Sequence, residues 1–432
     1  MTTYALVGGD VVDRNGRRRA DVVVDQATGR LTDTDAEAAD ERLDVTGCIV
    51  SPGFVDLHVH LRQPGNEAAE TIETGSRAAA LGGFTAVVAM PNTNPCMDTA
   101  AVVSEVLAHG RNALCEIKPS AAITVGRLGE TLAPMGELVD LGVRMFTDDG
   151  TGVQDDQLMR RALEYAASLD PGDGTSLVLS QHCEVNALSQ GGVMHEGAWS
   201  AKLGLPGQPA EAEELMVMRD IALSRLTGMR VHLQHLSTAG SVEMVRAAKA
   251  AGHPVTAEAT PHHFTLTDGC CASYDPVFKV HPPLRTDADV AAVKAGLADG
   301  TIDAIATDHA PHTPDSKELP FDQAPPGMLG LETALALALT ELADIGVVDL
   351  VRLLSIRPAE IAGLADRHGR PVEAGEPANL CVFDPDQHWT VERTGLASLA
   401  VNTPFHGRDL RGVVRHTFLN GGPVVLDGKA TR

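Results

Sequence analysis

Residues 53–62 read GFVDLHVHLR, and this stretch decides how the rest of the chain is interpreted. Its first seven residues form a short, largely apolar run of the strand type. His58 and His60 are separated by one residue, so on a strand both imidazoles point to the same side and can reach one metal ion. A His-x-His pair alone fits an ordinary strand end equally well. Its meaning therefore depends on the residues at the ends of the other strands.

Seven further strand-type runs follow, and they alternate with Ala-rich and Glu-rich helical stretches as far as about residue 369. The runs are TAVVAM (85–90), KPSAAIT (118–124), VRMFT (143–147), SLVLSQH (176–182), RVHLQH (230–235), PVTAEA (254–259) and IDAIAT (302–307). This alternation predicts repeated βα units and a parallel sheet. Eight runs fit one closed (β/α)8 barrel of the TIM type, which we predict to span residues 53–369.

Both ends of the chain have a different pattern, with short β-type runs and no long helical period. ALVGGDVV and ADVVVD lie in the first 50 residues, and ANLCVFD and PVVLDG lie near the end. We therefore predict an α/β protein in which residues 1–52 and 370–432 together build a small β-sandwich domain beside the barrel.

Candidate metal ligands recur at the ends of the other predicted strands. Asp149 closes the fourth run, His182 the fifth and His235 the sixth, and Asp308 follows the eighth. In a barrel the carboxyl ends of all strands converge on one rim, where active sites of this fold lie. Agreement among five strand ends makes coincidence improbable. Nitrogen and oxygen ligands without thiolates favour Zn²⁺ in an open catalytic site, as one or two ions.

Composition limits the classes of partner. The chain has 34 Lys and Arg against 58 Asp and Glu, a formal charge of −24, so we expect no binding to nucleic acid or to an anionic membrane. No stretch approaches 18 apolar residues, and no signal-like segment opens the sequence, so we predict a cytoplasmic protein. The seven cysteines include no C-x-x-C pair, and their odd number argues against a disulfide framework.

Taken together, seven motifs resemble those of bacterial dihydroorotases in the amidohydrolase superfamily over nearly the whole chain: PGFVDLHVHLRQPG, AMPNTNP, FTDDG, HCE, QHLST, PPLR and ATDHAPH. The resemblance implies that His58 and His60 bind one zinc ion, that His182 and His235 favour a second, and that Asp149 lies between them. Hydantoinase-like and allantoinase-like relatives place a carboxylated lysine at the Asp149 segment. Here an aspartate would supply the carboxylate without modification.

The resemblance also implies the reaction, which is the reversible interconversion of N-carbamoyl-L-aspartate and (S)-dihydroorotate in de novo pyrimidine biosynthesis. A bound Zn²⁺ can lower the pKa of water to about 7 and so supply hydroxide at neutral pH. Asp308 is the predicted general base, and it would return the proton to the leaving nitrogen.

Substrate contacts are predicted on the same rim. Arg62 is the expected partner of a substrate carboxylate, which its guanidinium can hold in a bidentate fork; the alternative is a rim arginine paired with a neighbouring acid. Asn92 resembles a second contact, and alone it would be a turn residue. His312 and the loop residues Pro326 and Gly327 match the remaining substrate positions of the family.

One residue departs from the family pattern. His281 stands where relatives commonly read Asn-Pro-Pro-Leu-Arg. An imidazole can donate a hydrogen bond, but it is larger than an amide and titrates near neutrality, so we expect its charge state to enter the pH dependence of catalysis. We interpret His262 and His263 as structural residues or as partners of the ligands.

Several alternatives remain open on sequence alone. The proline-rich segment 309–330 is either a substrate loop or an ordered surface loop. The chain could be another cyclic amidase, such as an allantoinase or hydantoinase, or a non-catalytic scaffold for aspartate carbamoyltransferase. We expect a homo-oligomer, most simply a dimer, and leave association with that carbamoyltransferase open.

Overall fold

The computed structural model describes residues 2–169 and 175–432. The chain begins with seven strands: β1 (Thr3–Val7), β2 (Asp10–Asp13), β3 (Gly16–Arg19), β4 (Val22–Asp25), β5 (Arg30–Thr32), β6 (Glu41–Asp44) and β7 (Ile49–Pro52). Its middle part carries β8 (Phe54–Val59), β9 (Phe84–Ala89), β10 (Glu116–Pro119), β11 (Met145–Phe146), β12 (Val178–Gln181), β13 (Met194–His195), β14 (Gly207–Gln208), β15 (Val231–Leu233), β16 (Val255–Ala259) and β17 (Ala304–Ile305). The last strands are β18 (Leu380–Thr390), β19 (Asp409–Leu419), β20 (Gly422–Leu426) and β21 (Lys429–Ala430).

Helices separate the strands of the middle part. They are α1 (Ile72–Leu81), α2 (Ala100–Gly110), α3 (Met135–Asp140), α4 (Asp156–Ser168), α5 (Asn186–Ser189), α6 (Ala198–Leu203), α7 (Glu211–Thr227), α8 (Ala239–Ala250), α9 (Asp287–Ala298), α10 (Pro314–Lys317), α11 (Ala334–Glu341), α12 (Val347–Val351) and α13 (Arg357–Ile361). Side chains fix several of their starts. Thr238, for example, accepts a hydrogen bond from the Ser241 amide at the start of α8, which satisfies a backbone donor that the helix leaves free.

The two ends of the chain share one sheet. Its seven strands lie in the order β21-β20-β19-β18-β7-β2-β3, and β18 runs antiparallel to β7. A second sheet has the order β5-β4-β1-β6. A separate apolar core contains side chains from both sheets, including Leu6, Val24, Val50, Val382 and Phe418.

The eight predicted strand runs all contain parallel strands, so the prediction of an α/β fold with repeated βα units is confirmed. The strands pair in the orders β10-β9-β8 and β11-β12-β15-β16-β17. Isolated parallel bridges join Ala121 to Phe146 and Val59 to His309, which connects the two sets at both edges. Every residue of β8 and β9 is buried, as expected for parallel strands covered on both faces.

The third predicted strand was placed too far along the chain. The run was assigned to residues 118–124, whereas the hydrogen-bonded strand is Glu116–Pro119. After the bridge at Ala121, the chain leaves the sheet at Ile123 and Thr124, whose backbone amides donate to the Asp148 carboxylate at 2.8 and 3.0 Å. Apolar content alone could not reveal this competing partner.

The main apolar core lies between the parallel strands and the helices, and it includes Phe54, Phe84, Phe146, Leu233 and Ile305. Consecutive helices cover the strands, with α4 and α8 packed against α7 and α9 against α8. No helix within the described ranges combines the length and the apolar character that a membrane span requires.

Candidate metal centre and substrate cavity

Two imidazoles and two carboxylates face one another at the carboxyl ends of β8, β11 and β17. Nε2 of His58 lies 3.2 Å from Oδ1 of Asp149, and Nε2 of His60 lies 3.0 Å from Oδ1 of Asp308. The two crossed distances, His58 to Asp308 and His60 to Asp149, are both 3.5 Å. All four side chains are buried. The His-x-His spacing thus brings both imidazoles to one point.

His182 and His235 stand next to this group, at the ends of β12 and β15. Nδ1 of His182 lies 2.9 Å from Nε2 of His235. Their distances to Oδ1 of Asp149 are 3.6 and 3.9 Å. The Asp149 carboxylate therefore lies between the His58–His60 pair and the His182–His235 pair.

The donor atoms fit a divalent metal ion. His58, Asp149 and His235 form one set whose ligand atoms all lie within 4.8 Å of one another, and His58, His60 and Asp308 form another. His182 belongs to neither set, although it contacts His235. Nε2 of His58, which faces this group, is buried without a hydrogen-bond partner, which is costly for a polar atom unless something binds it. Imidazole nitrogens and carboxylate oxygens are ligands that divalent first-row metals accept.

The charges of the site favour a cation. Burial opposes charge on His58, but Asp149 and Asp308 raise its pKa well above the ordinary value. Burial likewise opposes charge on Asp149, and the neighbouring His58 holds its pKa well below the usual range. Carboxylates that stabilise a proton at this point also stabilise a metal ion.

Glu258 orients His58, and the sequence analysis missed it. Oε1 of Glu258 lies 2.9 Å from Nδ1 of His58, and its Oε2 lies 3.0 Å from Nε2 of His232. A carboxylate bound at Nδ1 leaves Nε2 of His58 to face the centre. The available signal was a glutamate inside a largely apolar strand run, because a buried carboxylate needs a partner.

The Asp56 carboxylate joins β8 to the segment that follows β17, next to the candidate ligands. Asp56 accepts hydrogen bonds from the His58 amide at 3.0 Å and from the Thr307 hydroxyl at 2.6 Å. The next residue, Asp308, has a φ of 46°. Non-glycine residues seldom adopt such a left-handed conformation, and those that do cluster at functional sites.

Eleven of the twelve predicted site residues line one cavity of about 240 Å³: His60, Arg62, Asn92, Asp149, His182, His235, His281, Asp308, His312, Pro326 and Gly327. The twelfth, His58, is fully buried beneath the cavity floor. The chain thus brings together side chains that are as much as 269 positions apart in sequence, from His58 to Gly327.

Arg62 and Asn92 occupy different parts of this cavity. Nε of Arg62 donates to the Pro311 carbonyl at 3.0 Å, and burial lowers its pKa to about 10, so the guanidinium stays charged at neutral pH. Both ends of the Asn92 amide are engaged, with Oδ1 2.8 Å from Nδ1 of His60 and Nδ2 3.3 Å from Oδ2 of Asp149. Asn92 therefore contacts two candidate ligands as well as the cavity.

His281 lies in the wall between two cavities. It lines the 240 Å³ cavity and also a neighbouring one of about 500 Å³. Its Nε2 is 3.1 Å from Nε2 of Gln208. Burial lowers the pKa of His281 to about 4, which differs from the titration near neutrality expected from the sequence.

The sequence closely matches proteins of one enzyme family. The Dihydro-orotase-like family matches residues 47–241. Dihydroorotase from Pelotomaculum thermopropionicum is 48% identical over 99% of this chain and 99% of its own length. Dihydroorotases from Streptomyces coelicolor and Mycobacterium tuberculosis are also 48% identical, over 96% and 95% of this chain and 97% and 96% of their own lengths.

The chain belongs to the dihydroorotase family.

Solved structures of other cyclic amidohydrolases share the fold of this dihydroorotase family member. L-hydantoinase from Arthrobacter aurescens superposes with a TM-score of 0.88 at 24% identity, covering 100% of this chain and 98% of its own. Dihydropyrimidinase from Brevibacillus agri NCHU1002 gives 0.85 at 22% identity, covering 99% and 96%. These likenesses establish the architecture, while the sequence matches above establish the family.

The segment 309–330 is held against the cavity by hydrogen bonds from two half-buried side chains. Nζ of Lys317 donates to the carbonyls of Pro276 and Pro325 at 2.9 and 2.8 Å. The neighbouring Pro326 carbonyl lies 2.8 Å from Nε2 of His312. Burial lowers the pKa of Lys317 to about 7. The segment is therefore an ordered loop whose ends also form the cavity wall, which combines the two alternatives.

Three other polar residues near the rim lie outside the cavity, and two of them have structural partners. The Asp148 carboxylate binds two backbone amides, as described for the third strand. His263 is 2.8 Å from the Thr260 hydroxyl and 3.0 Å from the Pro282 carbonyl. His262 is buried, and burial lowers its pKa well below the ordinary value. None of the three lines the cavity.

Proposed function

We propose that this chain interconverts N-carbamoyl-L-aspartate and (S)-dihydroorotate in de novo pyrimidine biosynthesis. The observation that carries the proposal is the position of Asp308, which is 3.0 Å from the candidate ligand His60 in a cavity that also contains the cation Arg62. Identity of 48% to dihydroorotases over nearly the full length supports the same substrate.

The candidate metal ligands are His58, His60, Asp149, His182, His235 and Asp308. We propose one or two Zn²⁺ ions, with Asp149 between the two positions and no carboxylated lysine, because the donors are nitrogen and oxygen atoms only. When bound, the metal makes water a competent nucleophile at neutral pH and polarises an amide carbonyl.

Asp308 handles the proton in this mechanism. Its carboxylate accepts a proton from the attacking water and delivers it to the ring nitrogen as the amide C–N bond breaks. In the direction of synthesis, the same carboxylate takes a proton from the carbamoyl nitrogen as the ring C–N bond forms and delivers it to the leaving hydroxyl group, which departs as water. Glu258 keeps the His58 imidazole in one orientation throughout.

Arg62 binds the substrate carboxylate. Its guanidinium is half-buried and charged, and two parallel hydrogen bonds to a carboxylate would fix both the position and the plane of the substrate. Asn92, His281, His312, Pro326 and Gly327 form the other walls of the cavity. A chain of net charge −24 has no general attraction for an anion, so recognition of an acidic substrate falls to this local cation.

We also propose the finer architecture that positions the site. Residues 53–369 form a closed (β/α)8 barrel, supported by the strand order and by the bridges at both sheet edges. Residues 1–52 and 370–432 form a β-sandwich domain, supported by the pairing of β7 with β18. Seven free cysteines fit a reducing compartment, and we propose the cytoplasm.

The decisive experiment is a coupled assay of ring opening of dihydroorotate by the purified protein, with metal content measured on the same sample. Activity should disappear on chelation and return with Zn²⁺. Hydantoin and allantoin serve as competing substrates, and they should be poor because they offer Arg62 no carboxylate. Absence of turnover by the zinc-loaded protein, or a preference for allantoin, would overturn the proposal.

A further inference from the structure

Gln208 lies behind His281 and lines the outer cavity, the one of about 500 Å³. It is the last residue of β14 (Gly207–Gln208) and is only 2% exposed. Its carbonyl accepts hydrogen bonds from the Glu196 amide and from Nη1 of Arg285, both at 3.0 Å. The side chain of Gln208 therefore starts from a fixed stretch of backbone.

The Gly192 carbonyl determines which end of the Gln208 amide faces His281. Nε2 of Gln208 lies 3.1 Å from the Gly192 carbonyl oxygen. A carbonyl can only accept, so the amide atom opposite it is the nitrogen. A Cβ on residue 192 would lie 2.4 Å from Cγ of Gln208, so this close packing requires glycine. The same amide nitrogen is 3.1 Å from Nε2 of His281.

This contact determines which ring nitrogen of His281 carries the proton. An amide nitrogen donates and does not accept, so Nε2 of His281 is the acceptor. A neutral imidazole that accepts at Nε2 carries its proton on Nδ1. Burial lowers the pKa of His281 to about 4, so the ring is in this neutral form at neutral pH.

Nδ1 of His281 faces the candidate active site. It has no hydrogen-bond partner among the residues that the structure describes, yet it is not one of the fully enclosed polar atoms. His281 lines both cavities, whereas Gln208 lines only the outer of the two. Since Nε2 faces Gln208, Nδ1 points away from the outer cavity and toward the 240 Å³ cavity that contains Arg62 and Asp308.

We propose that Gln208 is a positioning residue that holds the proton of His281 on Nδ1, so that His281 offers the substrate a hydrogen-bond donor. The identity of the substrate rests on the function proposed above. Dihydroorotate and N-carbamoyl-aspartate both carry carboxylate and carbonyl oxygens, which accept hydrogen bonds. The other tautomer would turn a lone pair toward these oxygens and repel them. Gln208 thus contributes to specificity without touching the substrate.

A neutron structure of the deuterated full chain without substrate tests the tautomer and needs no activity. Deuterium should be present on Nδ1 of His281 and absent from Nε2 at neutral pH. Deuterium on Nε2, alone or together with Nδ1, would overturn the assignment, because Gln208 would then face a donor.

Steady-state kinetics test the effect on the substrate. Gln208→Met removes the donor at similar side-chain length, and kcat/KM for dihydroorotate should fall roughly 10-fold, mainly through KM, as expected for one lost hydrogen bond. Gln190→Met is the matched control, since Gln190 also lines the outer cavity but forms no hydrogen bond with His281 among the described contacts. Its kcat/KM should equal that of the parent.

The same substitution in a His281→Asn background separates positioning from packing. An asparagine amide can turn its own donor toward the substrate, so Gln208→Met should now cost less than about 2-fold. Equal losses in both backgrounds would show that Gln208 only supports the wall, and would overturn the proposal. Absence of turnover by the zinc-loaded parent would overturn the proposed function together with the substrate contact. An active parent with deuterium on Nε2 of His281 would overturn only the role of Gln208.

Discussion

Nδ1 of His58 lies 2.9 Å from Oε1 of Glu258, although the two residues are 200 positions apart in sequence. This contact leaves the other ring nitrogen of His58 facing Asp149 and Asp308. It therefore determines whether the imidazole is available to a metal ion.

Replacing Glu258 with glutamine should weaken metal binding roughly 10- to 100-fold, because residues that orient a metal-bound histidine are typically worth that much. Metal affinity can be measured by competition with a chromogenic chelator. Glu116→Gln is the matched control, since Glu116 is also paired with a histidine, His368, at 2.9 Å but does not line the cavity. If both variants lose affinity equally, the effect is general destabilisation.

Replacing Asp308 with asparagine should lower kcat by roughly 100-fold or more, because an amide cannot accept the proton. His58, His60 and Asp149 remain, so we expect most of the metal to stay bound. Metal analysis and steady-state kinetics on one sample separate the two effects. Near-normal turnover would remove Asp308 from the role of general base.

Replacing Arg62 with methionine should raise KM for dihydroorotate by roughly 100-fold, as a lost charge-assisted pair costs about 1.5 to 3 kcal/mol. An uncharged dihydropyrimidine is the matched control substrate. Its kcat/KM should change little, since it has no carboxylate. Equal losses for both substrates would mean that Arg62 supports the cavity and does not bind the carboxylate.

His281→Asn tests the charge state of His281, for which the sequence and the structure lead to different expectations. Burial lowers the pKa of His281 to about 4, so its imidazole is neutral at physiological pH and becomes charged only in acid. The kcat/KM profiles of the parent and the variant should therefore have the same shape between about pH 6 and pH 8. Their heights can differ through the lost contact with Gln208. An acidic limb near neutrality that disappears in the variant would contradict this assignment.

Replacing Lys317 with methionine should raise KM roughly 10-fold with a smaller change in kcat, because a displaced loop misplaces the substrate. The variant loses both hydrogen bonds from Nζ to Pro276 and Pro325. Hydrogen exchange should increase at the amides of residues 321–327, while the thermal midpoint stays close to that of the parent. Lys429→Met, at an exposed lysine, is the control. Unchanged exchange would show that Lys317 does not hold the loop.

The sequence predicted the parts of the site that lie on regular strands. A strand alternates strictly, so the spacing of His58 and His60 predicted their convergence. In a barrel the carboxyl ends of the parallel strands lie on one rim. This is why the sequence could predict that Asp149, His235 and Asp308 lie in one site.

Three features could not be predicted because they depend on distant partners. Glu258 sits in an ordinary-looking strand run, and its role appears only when His58 lies beside it. The third strand ends early because Asp148 captures backbone amides that the local pattern assigns to the sheet. The neutrality of His281 results from burial by several segments, whereas the isolated residue titrates near neutrality.

The bond between Asp56 and Thr307 joins residues 251 positions apart, and this has a consequence during translation. A nascent chain that has not yet released β17 from the ribosome lacks both Thr307 and Asp308. It can place His58 and His60 on a strand, but neither the bond to Asp56 nor the full ligand set exists. Ligand geometry is thus completed late in synthesis, after loop closure over most of the chain. Newly made protein would acquire its metal only after the last parallel strand has docked beside the first.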